Sequence, residues 1–225
     1  MMLFIQLFCF GRCTGISFID STCVPVCHNK RIKRNKVFKG YAEIGKSTMG
    51  WYFGFKLHLI CNERGELLNF MLTKANVDDR NPEVFNRLSD NVFGKLFADK
   101  GYISQGLFER LFNDGIELVT GLKCNMKNKL MPLNDKILLR KRSVIETIND
   151  ELKNVAQLVH SRHRSVFNFA MNVLSVLVHT ASMRRSRPST SIIASSTLMG
   201  SLLLYNKGIF SLLTTYRLPF TLVEG

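Results

Sequence analysis

Acidic residues are scarce in this chain. Seventeen Asp and Glu stand against 31 Lys and Arg, a formal net charge of +14. That imbalance argues for a polyanionic partner, most simply a nucleic-acid backbone. Paired cysteines are missing as well. Cys9, Cys13, Cys23, Cys27, Cys61 and Cys124 form no CxxC spacing, so reduced thiols in a cytosolic protein are expected rather than a secreted disulfide framework. Cys23, Cys27 and His28 lie close in sequence, but no second ligand pair sits at a matching distance, and no zinc site is expected. The apolar opening, Met1 to Phe10, lacks the basic start and small-residue cleavage site of a signal peptide and is too short to span a bilayer. It reads as a buried helix or strand remnant leading into a core, and no membrane partner is expected.

The 225 residues are 46% hydrophobic, enough for one globular domain with a sizeable core. Three regions are expected: an apolar remnant over 1–15, a domain over 16–185, and an atypical tail over 186–225. After Arg187 the composition turns to Ser, Thr and Leu, with no acidic residue before Glu224. Lys207, Arg217 and Pro219 interrupt the apolar stretches there, so a transmembrane helix is not expected. A poorly packed tail from a shifted or read-through frame is.

Ile16 to Ile19 favours a buried strand that ends at Asp20. From His28 to Lys46 the cations Lys30, Arg31, Lys33, Arg34, Lys36, Lys39 and Lys46 are opposed only by Glu43, which predicts a loop lying on phosphate. Trp51 to Cys61 and Leu67 to Thr73 alternate with a two-residue period around the turn Asn62-Glu63-Arg64-Gly65 and predict a hairpin. Asp78, Asp79 or Asn81 is expected to cap a helix entered at Pro82. Lys95 to Lys100 predicts another short strand ending in a carboxylate, Asp99. Ser104 to Asn113 predicts a helix capped by Ser104, and Glu117 to Gly121 a further strand. The order β-β-β-α-β-α-β-α is that of an α/β protein, a mixed β-sheet flanked by helices.

Lys136 to His160 is expected to form one long basic helix. Ile145, Ile148, Leu152, Val155 and Val159 form its buried stripe. At about 100° per residue, Arg142, Glu146, Asn149 and Lys153 share a neighbouring face. Asp20, Asp99 and Glu146 therefore come from three separate elements amid many cations, an arrangement suited to a divalent-metal site acting on nucleic acid. Other candidates have plainer readings. His58 is expected to be packed or hydrogen-bonded, Trp51 and Tyr52 to pack in the core rather than to stack on an unpaired base, and His160 and His163 to sit at a phosphate-facing helix end rather than to form a metal pair.

These residues carry a resemblance. From about Ile16 to Met183, roughly three quarters of the chain, the sequence resembles the catalytic domain of bacterial insertion-sequence transposases of the DDE type. The matching pieces are FIDST, VCHNKRIKRNKVFKG, GWYFGFKLHLI, TKANVDDR, KLFADKGYIS and LLRKRSVIETINDELKN, in the family's order. Many such enzymes carry a Tyr-x2-Arg-x3-Glu-x6-Lys signature. Arg142, Glu146 and Lys153 stand at its last three positions, and Leu139 stands where Tyr would be. Only 19 residues precede Asp20, too few for a helix-turn-helix domain, so the chain reads as truncated at its front.

The resemblance implies a ribonuclease H-like fold in which Asp20, Asp99 and Glu146 are catalytic and hold two Mg²⁺ ions about 3.5 to 4 Å apart, with Mn²⁺ able to substitute. It implies phosphodiester hydrolysis and strand transfer during transposition, with Arg142 and Lys153 gripping phosphates alongside Lys30, Arg31, Lys33, Arg34, Lys36 and Lys39. DNA, both element ends and target, would be the partner of a homodimer or larger synaptic assembly in the cytoplasm, at the nucleoid. The alternative is an inactive, truncated remnant that binds DNA nonspecifically.

Overall fold

The computed structural model describes residues 9–122, 130–159 and 163–185. All of these lie in the first of two units into which the chain divides, Met1–Ser186. The tail expected over 186–225, and the opening run up to residue 8, fall outside the described residues. So do Cys124 and His160.

Among the described residues, six strands form one mixed sheet: β1 (Ile16–Cys27), β2 (Glu43–Ser47), β3 (Gly50–Asn62), β4 (Leu67–Lys74), β5 (Gly94–Ala98) and β6 (Ile116–Thr120). The path runs β2-β3-β1-β5-β6, with β4 also on β3. β3 is antiparallel to β1, whereas β5 is parallel to both β1 and β6. β2 and β4 share one edge of β3, the first pairing with Gly50 to Gly54 and the second with Phe55 to Cys61. Helices α1 (Pro82–Leu88), α2 (Gln105–Asn113), α3 (Leu133–Lys141), α4 (Ser143–Asp150) and α5 (Val166–Arg185) complete the domain. The result is the mixed β-sheet flanked by helices expected from the sequence.

Strand alternation sorts the core into two layers. On one face Ile19, Ile60, Leu96 and Ala98 pack against Val84, Phe85 and Leu88 of α1 and Leu107 and Leu111 of α2. On the other face Phe18 meets Phe97, ring centroids 5.7 Å apart. Farther along β3, Phe55 stacks on Phe169 of α5 at 4.9 Å, and Phe38 abuts both. Ile145, Ile148 and Leu152 are fully buried, each contributing about 1.5–3 kcal/mol of apolar burial. They fix α4 against the sheet.

Several local expectations are corrected. β1 does not stop at Asp20 but continues to Cys27, because β3 pairs with it along its whole length. The basic stretch is not all loop: it holds a 3-10 turn, Asn29–Arg34, and the strand β2. β2 (EIGKS) has little apolar alternation, and pairing with β3 decides it. The long helix is broken into α3, α4 and a π-helical turn, Glu151–Val155, and Gln157 takes φ 56° beyond it. The wider turn keeps Leu152 buried and swings Val155 outward, leaving it 71% exposed. Ser104 makes no side-chain cap, whereas Asn81 accepts from the Glu83 amide at 2.9 Å. α5 follows the broken helix and is not among the elements expected from the sequence. It is long and apolar enough to cross a membrane, but Phe169, Val173, Leu177 and Ala181 are buried in the protein. Trp51 lies on the surface, and only Tyr52 packs inside.

Candidate active site

The register of two parallel strands brings the aspartates together. Phe18 of β1 pairs with Phe97 of β5, and each is followed two residues later, on the same face, by an aspartate: Asp20 and Asp99. β5 ends at Ala98 while β1 runs on, so Asp20 sits where β1 loses a neighbour. That opening at the carboxyl end of β5 is the usual place for a site in an α/β sheet. Mid-strand Asp20 thus occupies an edge that the sequence expresses only through its partner strand.

Glu146 and Arg142 come from the other direction. Arg142 is the joint between α3 and α4, at φ −55° and ψ −20°. Its guanidinium lies 2.7 Å from Glu146 Oε1, 3.9 Å from Asp20 Oδ1 and 3.9 Å from Asp99 Oδ1. One cation therefore stands between three carboxylates drawn from β1, the end of β5 and α4. Its Nη1 is buried without a hydrogen-bond partner, so it serves Asp20 by charge rather than by a directed bond. Asn149, one turn beyond Glu146 and buried, donates from Nδ2 to Asp20 Oδ2 at 2.9 Å. The sequence placed Asn149 on the right helix face, but its contact with Asp20 depends on how α4 docks.

Burial pushes the Asp20 carboxyl above its ordinary range, opposed chiefly by Arg142 and then by hydrogen bonds from the Ser21 backbone and Asn149. Asp99 and Glu146 are 58% and 52% exposed at their side chains. The centre thus has one fixed, desolvated carboxylate and two open to solvent. Asp99 is held by its backbone, whose carbonyl accepts from the Tyr102 amide at 3.0 Å in the turn Lys100–Tyr102. α3 is tethered by Lys95 of β5, which donates to both oxygens of the buried Asp135 at 2.8 Å.

The other expected site residues lie elsewhere. Lys30, Arg31, Lys33, Arg34, Lys36 and Lys39 are all exposed, beyond the far end of β1. Cys27 is seven residues from Asp20, about 23 Å along a strand. Lys153 lies in the π-helical turn and makes no ion pair with the three carboxylates. Asp78 pairs with Arg80 and Asp79 with Lys56, so neither is a helix cap. His58 is buried, its Nε2 2.9 Å from Thr73 Oγ1, as expected of a packed histidine. His163 packs edge-on against Phe169. With Arg142 interposed, no group of three His, Cys, Asp or Glu among the described residues is close enough to hold one ion.

Residues 10–166, more than half of the chain, match the family model of the transposase DDE domain. The chain belongs to that family. Domains of this family use divalent metal ions, and an all-oxygen set of carboxylates is suited to hard cations. Among solved structures, this DDE domain is similar to the piggyBac transposase synaptic complex with hairpin DNA, with a TM-score of 0.49 and 12% identity, over 93% of this chain and 59% of that one. It is also similar to a chain of the simian T-cell lymphotropic virus intasome in complex with PP2A regulatory subunit B56 gamma, with a TM-score of 0.36 and 12% identity, over 83% of this chain and 61% of that one. The DDE domain therefore spans about 60% of the length of each of these chains. No curated protein matches its sequence.

Proposed function

We propose that residues 16–185 are the catalytic domain of an insertion-sequence transposase that cuts and joins DNA, with Asp20, Asp99 and Glu146 as its catalytic, metal-binding carboxylates. The observation that carries this reading is the convergence of the three on one cation, Arg142, at 2.7–3.9 Å. A single guanidinium offsets one of three negative charges, so the donor set remains fit for divalent cations. Bound Mg²⁺, two ions with Mn²⁺ able to substitute, would supply an activated water or 3′-hydroxyl and stabilise the leaving oxygen.

The chain's own residues prepare that chemistry. Asn149 holds Asp20 Oδ2 and leaves Oδ1 facing the centre. Arg142, beside Glu146, is placed to turn its donors from carboxylate to an incoming phosphate, for which its planar fork is suited. Lys153 adds a cation farther along the same chain segment. The exposed cations from Lys30 to Lys39 would hold the DNA backbone away from the reacting bond, a sequence-independent contribution. A homodimer or larger synaptic assembly at the bacterial nucleoid is the setting in which such a domain would join element ends to target.

The test is incubation of the purified chain with supercoiled plasmid and Mg²⁺ or Mn²⁺, beside an Asp20→Ala, Asp99→Ala double variant. Nicked or linear product that disappears in the variant supports the enzyme. A folded protein that binds DNA yet gives no product supports the alternative of a noncatalytic remnant.

A further inference from the structure

Trp51 is the chain's one tryptophan. Tryptophan offers the largest apolar surface of any side chain and gains most from burial, yet this one is 62% exposed. It lies on β3 opposite Lys46 of β2, whose Nζ stands 5.8 Å from the ring centroid, a cation–π arrangement. Ile44 and Met49 of the same hairpin are also exposed. Asn29 donates from Nδ2 to the Trp51 carbonyl at 2.7 Å, tying the hairpin to the basic 3-10 turn. There Lys30, Arg31, Lys33 and Arg34 are exposed, and none is paired with a carboxylate among the described residues.

We propose that this hairpin is a stacking site for an unpaired base of a DNA strand, with Trp51 as the platform and Lys46, Lys30, Arg31, Lys33 and Arg34 as its cationic rim. The proposal rests on the DNA-binding reading above and adds a ligand class to it. An aromatic face bordered by backbone-binding cations is what single strands require, because every base has a π-face and every link a charge. The neighbouring cleft of about 380 Å³ includes Asp78 and Asp79 in its wall. Their charges are matched by Arg80 at 2.7 Å and Lys56 at 3.0 Å, so the approach stays positive. A second copy of the chain, itself carrying +14, is the poorer electrostatic match.

Position supports the same occupant. Trp51 alternates with Phe53, Phe55, Leu57 and Leu59 along one face of β3, and Leu59 is the register partner of Asp20. Eight residues of strand separate Trp51 from Leu59, about 26 Å. Phe53, Phe55, Leu57 and Leu59 are buried between Trp51 and the carboxylate centre, so Trp51 is the exposed end of that row and would hold a strand well away from the reacting bond.

The single tryptophan makes the site its own reporter. The full chain is titrated with a thymidine 20-mer, with a 20-base-pair duplex and with heparin, following tryptophan emission together with the anisotropy of labelled DNA. Single-stranded DNA should quench the emission, while heparin at equal occupancy should not. Trp51→Ala should weaken single-strand binding about tenfold and leave duplex binding unchanged, and Trp51→Phe should retain most of the affinity. Binding seen by anisotropy with unmoved emission, or equal quenching by heparin, overturns the stacking site while leaving DNA binding intact. Emission that shifts with protein concentration alone assigns the face to a second copy and overturns it too. Absence of any DNA binding removes both this inference and the reading beneath it.

Discussion

At the carboxylate centre the charged groups are joined across elements. Asp20 of β1 is held by Asn149 of α4, and Arg142 reaches Asp20, Asp99 and Glu146 at once. In the segment 29–39 the cations are exposed and make no ion pair among the described residues, and uncharged groups anchor the segment: Asn29 on the Trp51 carbonyl, and Phe38 buried against Phe55 and Phe169. The difference fits the two tasks proposed for these regions. Bond cleavage depends on atoms placed to within a fraction of an ångström, which requires supports from several elements. Holding a polyanion needs only charge within a Debye length, and exposed cations on a short turn suffice.

The largest expected effect separates the two regions outright. Asp99→Ala should lower metal-dependent nicking by about 10³-fold or more, several kcal/mol of lost transition-state stabilisation, while plasmid binding by filter retention stays the same or tightens. Equal loss of both would mean that the variant had misfolded. Asn149→Ala sharpens the comparison by removing a support rather than a ligand. It should weaken Mn²⁺ binding about 10–100-fold, read by paramagnetic resonance of free Mn²⁺, with DNA affinity unmoved and the Asn149→Gln variant recovering little because its longer side chain overshoots Asp20.

Replacing Lys30, Arg31, Lys33 and Arg34 with Ala works from the other side. The slope of log affinity against log salt should fall by up to about 4, close to 0.9 for each phosphate no longer neutralised, while nicking per bound plasmid is retained. An unchanged slope would place that turn away from DNA. The smallest effect comes from a group outside both regions. Burial pushes the His58 imidazole down to about 4, opposed by Asp79 and reinforced by Lys56. The unfolded chain takes up this proton near pH 6.5 and the folded chain does not. His58 therefore contributes stability above about pH 6.5 that is lost as pH falls toward about 4. Tm measured against pH should decline less steeply in that window for His58→Gln, and a parallel decline would remove His58 as its source.

Much of this protein was legible from its residues. The hairpin β3–β4, the strands around Phe18 and Phe97, the buried stripe Ile145, Ile148 and Leu152, and the charge excess all follow from local periodicity and composition. Other features were not. The length of β1 past Asp20 depends on pairing with β3, β2 is a strand only because β3 offers it an edge, and the long helix breaks at Arg142 and again in the π-helical turn. Val155 fits the helical stripe in sequence yet faces solvent, because a five-residue turn shifts the phase after Leu152. Trp51 was expected inside by its apolarity, but at the open end of a hairpin no layer covers it.

Sequence by itself determined which residues carry charge, which alternate as strands and which carboxylates sit two residues beyond a buried phenylalanine, because these are properties of neighbours along the chain. Only the tertiary structure decided that Phe18 and Phe97 share a register, that α4 docks with Asn149 on Asp20, and that one guanidinium stands between three carboxylates. Those relations join residues up to 129 positions apart, and they are fixed by the pairing and packing of whole elements rather than by any local preference.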